Sequence, residues 1–525
     1  MKKIIIRLSL SLFALGLTST AFGQVEKGIL NWYNTGKAGL QTEKAYKLLK
    51  NKPSKTVIVA VIDSGVDIEH EDLKGKIWTN TKEIAGNGID DDNNGYVDDI
   101  HGWGFLGAPD GQNQKYARLE KTRIYAMYKD EFENVEESQI PTNRKADYDV
   151  FVAAKKSMEE DKEMYEGYQS QMAQLPMIMK MVPQMVGQKL GKEDYTLKDL
   201  NKWKPKDAQD QQFRQLAIAI ETGELSDEVI QAQIDQVNSM LDYYLNPELN
   251  DREFIGDDAN DFNDVKYGNN DVDGPDALHG THVSGIIAAI RGNGLGGDGV
   301  ADDVQIMSLR AVPNGDEADK DIALAIRYAV DNGASVINMS FGKGFSIHKK
   351  EVYEALKYAD DNGVLCIHAA GNDAKNLDVE TNYPTDKYEF QEAKFTNYLT
   401  IGASTRDAKG KLAANFSNYG QTKVDVFAPG FEIYNTVPDN KYKKLQGTSM
   451  AAPMVAGVAA LLKSYFPELT MTQIKDIILS TAKSYKGKMQ ELPGSETKVD
   501  FATLSVTGAV VDVHAAVKKC IEMTK

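Results

Sequence analysis

Three short stretches of this 525-residue chain carry the residue types of nucleophilic acyl transfer. They are Val61-Ile62-Asp63-Ser64-Gly65, His279-Gly280-Thr281-His282-Val283-Ser284-Gly285 and Gly447-Thr448-Ser449-Met450-Ala451-Ala452-Pro453. A serine hydroxyl attacks poorly at neutral pH. A neutral imidazole must take its proton and later return it to the leaving group, while a carboxylate orients the ring and stabilises its cation. Asp63, His279 and Ser449 can fill those roles. Any long chain contains Ser, His and Asp, so the information lies in their surroundings.

Asp63 follows the apolar run Thr56 to Ile62, which reads as a strand buried on both faces of a parallel sheet. Its carboxylate then sits at the carboxyl edge, where open α/β sheets place their sites. His279 precedes the small-residue run His282 to Ile290, read as a buried helix entered through a glycine. Ser449 opens a similar run, Met450 to Leu462, in which Pro453 is tolerated because it lies near the helix start. One strand end and two helix entries can converge on one cleft.

These segments resemble the subtilisin-like serine peptidases, or subtilases, whose triad is known to follow the chain order Asp, His, Ser. The likeness spans roughly residues 50 to 105 and 255 to 518. It implies an α/β fold with a parallel sheet covered by helices on both faces, and a serine-type endopeptidase. In that reading Asp63 orients, His279 is the general base and Ser449 the nucleophile, while His282 is a packed helix residue. Catalysis then needs no cofactor, and the partners are protein or peptide substrates.

A fourth segment, Val364 to Asn372, reads as another buried strand running into a glycine turn. The amide of Asn372 could donate to a tetrahedral oxyanion, beside the backbone N–H of Ser449; the Asn of the family's Ala-Ala-Gly-Asn stretch has this role. By the same resemblance, Ser340, Phe341 and Gly342 pair as a strand with the substrate backbone on the acyl side. Ala370 and Gly371 also line the substrate site. Main-chain pairing accepts many sequences, so a broad specificity is expected. The Tyr383-Pro384 pair resembles the segment closing the primary specificity pocket, which places Asn382 at its base. An ordinary loop turn is the alternative there.

The first 23 residues have a basic start (Lys2, Lys3, Arg7), an apolar core from Leu8 to Leu17 and the small-x-small site Ala21-Phe22-Gly23. This is the pattern of a secretory signal peptide cleaved after Gly23, and it places the mature protein in a periplasm or outside the cell. Residue 24 is Gln and not Cys, so lipid-anchored export is not indicated. No later stretch has the apolar length of a membrane span. The formal charge is −17; loss of three cationic residues with the signal takes it from −17 to −20, which argues against nucleic acid as a partner. Only Cys366 and Cys520 are present, one mid-strand and one in a C-terminal helix, and they read as two separate thiols.

Between the second and third motif, strands and helices alternate. Val304–Leu309, Lys320–Asn332, Ala334–Met339, Lys349–Asn362 and Val364–Ala369 follow one another, with Gly333 and Gly363 ending the two helices. This is the grammar of a parallel sheet. Asn397 to Ala403 and Lys423 to Ala428 add strands, and Gly508 to Ile521 resembles the family's closing helix. The family pattern is broken between Asp63 and His279, which stand 216 positions apart where a few tens suffice.

The chain therefore divides into a signal (1–23), a first part of the peptidase domain with an N-terminal extension (24–109), a helical insertion (110–250) and the rest of the domain (251–525). Helices are expected over Ala146 to Tyr168, from Gln209 to Ile220, and from a Ser226 cap to Leu245. The Met-rich stretch Met172 to Met185 could form a docking face or lid. Its other reading is packing of the insertion's own helical hairpin against the core. The 27 or so residues between the signal and the first strand are too short for a folding-assisting propeptide, so we expect folding without one and an insertion that partly shields the cleft.

Asp90 to Asp99 matches the first half of a calcium loop. Oxygen ligands stand at Asp90, Asp92 and Asn94, Gly95 makes the turn, and the Tyr96 carbonyl and Asp98 follow. The twelfth position, a bidentate Glu in an EF-hand, is His101 here. Structural calcium is the expectation, against an acidic turn that binds nothing tightly. The acidic stretch from Asp257 to Asp261, with Asp271 and Asp273, reads as a solvated loop without a ligand role. A binding protein on the same scaffold would be marked by loss of a triad residue, and none is lost. An esterase reading lacks the Gly-x-Ser-x-Gly elbow.

Overall fold

The computed structural model describes residues 29–525, and the signal-peptide expectation lies outside the described residues. The described chain forms two compact units. One comprises the residues up to Glu120 together with Asn250–Lys525; the other is Lys121–Leu249.

The larger unit is built on a nine-stranded sheet. In chain order its strands are β1 (Val57–Asp63), β2 (Gly102–Gly104), β3 (Val304–Arg310), β4 (Val336–Met339), β5 (Leu365–Ala369), β6 (Tyr398–Ser404) and β7 (Val426–Pro429). The antiparallel hairpin β8 (Ile433–Val437) and β9 (Lys441–Leu445) stands apart. After it come β10 (Lys483–Ser484), the small hairpin of β11 (Met489–Glu491) and β12 (Lys498–Asp500), and β13 (Ala509–Val510). The sheet runs β10-β13-β7-β6-β5-β4-β1-β3-β2, and every pairing except β10 with β13 is parallel.

Alternation along β1 explains why its sequence is apolar throughout. Val57, Val59 and Val61 point into one core, with helices Leu278–Ala288, Thr448–Tyr465, Met471–Thr481 and Val513–Met523. Ala60 and Ile62 point into the other, with helices Asp319–Asp331 and Lys349–Asp361. A strand covered on both faces has no solvent side on which to place a polar residue until its end. The first polar side chain of β1 is accordingly Asp63.

The N-terminal extension belongs to this core. Trp32, Tyr33 and Leu40 are buried in the first cluster; Tyr33 Oη donates to the Asp298 carbonyl at 2.9 Å and Trp32 Nε1 to that of Glu432 at 3.1 Å. Cys366 lies in β5 and Cys520 in the last helix, both buried and unpaired with each other.

Residues 110–120 and 250 group with the larger unit, so the chain leaves it at Glu120 and returns at Asn250. Departure and return are clasped together. Arg118 N–H donates to Asp251 Oδ2 at 2.9 Å, and the Arg118 guanidinium meets Oδ1 at 3.1 Å. The smaller unit is helical: Lys145–Met172, Leu175–Leu190, Leu197–Lys202, Ala208–Glu221 and Asp227–Ser239. Ser226 caps the last, its Oγ accepting from Val229 N at 3.3 Å. Val182, Val186, Leu200, Phe213 and Ala217 form its principal cluster, and Met172, Leu175 and Ile230 a second. Of the Met-rich stretch, Met172 is buried and Met177 is 59% exposed. No helix among the described residues is long and apolar enough to cross a membrane.

Candidate active site

The carboxylate of Asp63 is buried at the end of β1. Its Oδ1 accepts the Ser64 N–H at 2.8 Å and meets His279 Nδ1 at 2.6 Å. His279 is the second residue of the Leu278–Ala288 helix, which begins four residues earlier than the small-residue run suggested. The close approach of this helix to the β1 turn requires glycine at 280: a Cβ there would lie 2.1 Å from the Gly65 carbonyl oxygen and 3.2 Å from Asp63 Cβ. Burial disfavours the charged imidazole, but the adjacent Asp63 carboxylate outweighs it and holds the ring above its ordinary pKa of 6.5. His282 is wholly buried, with Nε2 3.1 Å from the carbonyls of Ile433 and Lys443. It ties the helix to the β8–β9 hairpin.

Ser449 is the second residue of the Thr448–Tyr465 helix, so its N–H is one of the helix-start donors that no preceding turn can satisfy. The helix starts early enough to put Pro453 inside it. Lacking an N–H, Pro453 leaves the carbonyl four residues back without its helical donor, and that carbonyl belongs to Ser449. Ser340 Oγ fills the gap by donating to it at 3.0 Å, itself receiving Asn338 Nδ2 at 2.9 Å. The Ser449 hydroxyl donates in turn to the Ser340 carbonyl at 3.1 Å.

These bonds bring both halves of the predicted triad to one edge. The parallel register pairs Ile62 with Met339, which sets Asp63 beside Ser340, the residue that holds Ser449. The His279 and Ser449 helices pack on the same face of the sheet. His279 and Ser449 share no hydrogen bond in this structure, the serine rotor being turned to Ser340.

Asn372 follows β5 and is exposed. Its Oδ1 accepts both the Thr448 N–H, at 2.8 Å, and Thr448 Oγ, at 3.0 Å. A backbone N–H can only donate, so this contact fixes which end of the amide is oxygen and leaves Nδ2 as the outward donor. Thr448, buried, also receives the Gly371 N–H at 3.0 Å. Gly371 needs its freedom, with φ +101° and a Cβ position 2.4 Å from Asn418 Nδ2. Asn418 braces the turn further, donating to the Ala370 carbonyl at 2.9 Å and accepting from Asp373 and Lys375. Neither Thr448 nor Asn418 was singled out from sequence. Thr448 lay within the quoted serine motif, whereas Asn418 offers no local signal.

Of the predicted substrate residues, Ser340 and Phe341 are buried and Gly342 is exposed. The Phe341 carbonyl accepts His368 Nε2 at 2.8 Å. Asn382 Nδ2 lies 3.2 Å from the carbonyls of both Ala369 and Ala370, and a Cβ on Gly342 would approach it to 2.7 Å. Asn382 thus sits between the Ser340–Gly342 and Ala370–Gly371 segments, at one side of a cavity of about 330 Å³ that Tyr383, Pro384 and His368 also line.

In the acidic loop, Asp90, Asp92 and Glu83 bring carboxylate oxygens within 4.8 Å of one another. Glu83 was not foreseen: it lies outside the loop spacing, yet it accepts the N–H groups of Asp91, Asp92 and Asp98. Asn94 Oδ1 accepts from Tyr96 N, and the Asp98 carboxylate turns to Asn87 and Gly88 N–H and is not in that cluster. Three converging carboxylates form an all-oxygen, strongly negative set of the kind a hard divalent cation suits. In the second acidic stretch Asp258, Asn260 and Asp261 are exposed, as a solvated loop requires, and one residue departs from expectation. Asp257 is buried, paired with Arg252 and Lys320 instead of solvated.

A family model described as "Subtilase family" (Peptidase_S8) matches residues 54–503, most of the chain. The chain is a member of the subtilase family. Among known proteins it is 40% identical to the thermophilic serine proteinase of Bacillus sp. (strain AK1), over 42% of this chain and 49% of that one. It is 39% identical to the cell wall-associated protease of Bacillus subtilis (strain 168), over 49% of this chain and 29% of that one. Subtilisin DY of Bacillus licheniformis is 37% identical over 39% of this subtilase and 70% of its own length. The subtilase described here therefore spans about half or less of the first two relatives.

Proposed function

We propose that this subtilase is a serine endopeptidase that cleaves proteins through an acyl-enzyme on Ser449. The observation that carries the reading is the 2.6 Å Asp63–His279 contact at the sheet edge, one strand from the Ser340 that holds Ser449. Rotation of the serine hydroxyl away from Ser340 would present its proton to His279 Nε2. His279 would take that proton as Oγ bonds to the scissile carbonyl carbon, and Asp63 would stabilise the imidazolium. The Ser449 N–H and Asn372 Nδ2 would hold the oxyanion. One such donor is worth roughly 10²–10³ in rate, a figure taken from a subtilisin and carried over here. Return of the proton to the leaving amine breaks the C–N bond, and water then repeats the sequence to release the acid.

The acyl side of the substrate would lie along Ser340, Phe341 and Gly342, with Ala370, Gly371 and Asn382 around the first side chain. Asp90, Asp92 and Glu83 would hold a structural calcium ion that neutralises their mutual repulsion, with Asn94 and the Tyr96 carbonyl completing the loop, while the Asp98 carboxylate braces the loop through the Asn87 and Gly88 N–H groups. The protein would be exported, its residues 110–250 forming an insertion in the catalytic domain. Labelling with a fluorophosphonate tests the reading: the wild type should be labelled and the folded Ser449→Ala variant should not. Equal labelling of both, or none in the wild type, would refute it.

A further inference from the structure

The segment just past β4 is unusual in what anchors it. β4 ends at Met339, and beyond it Gly342 is exposed and carries no side chain to hold it in place. The next residue, Lys343, is the opposite: its side chain is 2% exposed. Its ammonium lies 2.9 Å from Asp319 Oδ1 and 3.3 Å from Glu120 Oε2, and donates to the Glu317 carbonyl at 2.7 Å. Both carboxylates are themselves buried, at 5% and 3% exposure. Their second oxygens continue the network around the same turn. Asp319 Oδ2 accepts from Ser346 Oγ at 2.9 Å and His348 N at 2.8 Å, and Glu120 Oε1 accepts from Ile347 N at 3.3 Å. The Lys343 backbone pairs with Tyr383 in both directions, at 3.1 and 2.8 Å.

Burying one ammonium against two carboxylates is an expensive way to stabilise a fold, since apolar side chains of the same volume serve as well or better. What such a cluster supplies is geometry. We propose that Lys343, locked by Asp319 and Glu120, is a positioning residue that fixes the far end of the substrate-pairing segment Ser340–Gly342. This rests on the peptidase reading above. Ser340 is held at one end by Asn338 and Ser449 and Phe341 by His368; without the Lys343 anchor, Gly342 and its neighbours would be free to leave the line that a substrate backbone must match. Glu120 is also the residue at which the chain leaves the larger unit, so the anchor shares a residue with the root of the insertion.

The test compares two substrates in the full-length protein: a tetrapeptide anilide, which uses the pairing segment, and a single-residue acyl nitrophenyl ester, which does not. Active enzyme is counted by fluorophosphonate titration, so loss of folded protein cancels. Lys343→Met should raise KM for the tetrapeptide by about tenfold or more, the loss expected when one or two main-chain hydrogen bonds fail. Its kcat on the ester should stay within about twofold, because no group at the reacting bond has changed. Glu120→Gln, which leaves the Lys343–Asp319 pair, should show a smaller shift in the same direction. If Lys343→Met yields no folded protein, the size-matched neutral variant Lys343→Met/Asp319→Asn/Glu120→Gln carries the same expectation. An unchanged tetrapeptide-to-ester ratio in labelled variants overturns the assignment of Lys343 alone. Wild-type protein that takes no fluorophosphonate at Ser449 overturns the peptidase reading and this assignment with it.

Discussion

Gly280→Ala is the sharpest mechanical test of how the site is held. The new Cβ would lie 2.1 Å from the Gly65 carbonyl oxygen, about 0.9 Å inside the 3.0 Å limit that real Cβ contacts respect. Neither partner is a flexible side-chain tip: one is backbone at the β1 turn, the other a helix start. The His279 helix must therefore withdraw from Asp63 by on the order of 1 Å. Added to a 2.6 Å contact, that takes the Asp63–His279 pair beyond hydrogen-bonding distance. A misplacement of this size costs about 10²-fold in rate, or roughly 2.7 kcal/mol of barrier. Overpacking should separately lower stability by about 1–3 kcal/mol. The assay is kcat/KM on a peptide anilide, normalised to titrated Ser449, with a melting curve alongside. Gly410→Ala, whose Cβ would meet nothing within 4 Å, is the control and should be near neutral. Full activity per labelled site in Gly280→Ala would refute the idea that this contact sets the His279 position.

The pH profile follows from the same pair. His279 must be neutral to act as base, and Asp63 raises its pKa, so the acid limb of kcat/KM should inflect above 6.5; in Asp63→Asn burial is opposed only by the more weakly acting Asp276, and the residual activity should inflect at a lower pH than in the wild type. Burial lowers His282 to about 3 and His368 to about 4. Both are neutral in the fold where the unfolded chain would be charged, so the stability they confer is present above about pH 6.5 and lost as pH falls toward those values. The melting temperature should drop across that window, and less steeply in a folded His368→Gln variant; parallel curves would count against it. Chelation should lower the melting temperature by about 2–3 °C if calcium exceeded its Kd a hundredfold, equivalent to about 2.7 kcal/mol against the unfolding entropy of a chain this long. Asp92→Asn should reduce the chelator response, and metal analysis showing no bound calcium would remove the proposed site.

What was legible in sequence follows from what local pattern encodes. The runs ending at Asp63 and Ala369 announced strands because a doubly covered strand is apolar along most of its length, a buried polar residue such as His368 being admitted where a partner, here the Phe341 carbonyl, accepts it. Helix starts were placed late at both His279 and Ser449, since glycine and threonine are poor helix formers and only tertiary packing carries the helix through them. The orientation of the Asn372 amide depends on Thr448, 76 positions away, and the resting place of the Ser449 hydroxyl on a carbonyl 109 positions away. The largest gap concerns Asp319, Lys320 and Asp321. Three successive charges at a helix start give no local sign of burial, yet all are buried, and their partners Lys343, Asp257 and Arg252 are scattered along the chain. Periodicity has no access to such pairings.

The clasp between Arg118 and Asp251 bears on what the larger unit asks of the residues between them. Because residues 118 and 251 hold each other, the larger unit's chain is already closed there, whatever the length of the segment between them. A loop of any length costs the surrounding fold little once its ends are fixed, for closure entropy grows only with the logarithm of length. A chain running directly from Arg118 to Asp251 would need only a short turn to close the larger unit.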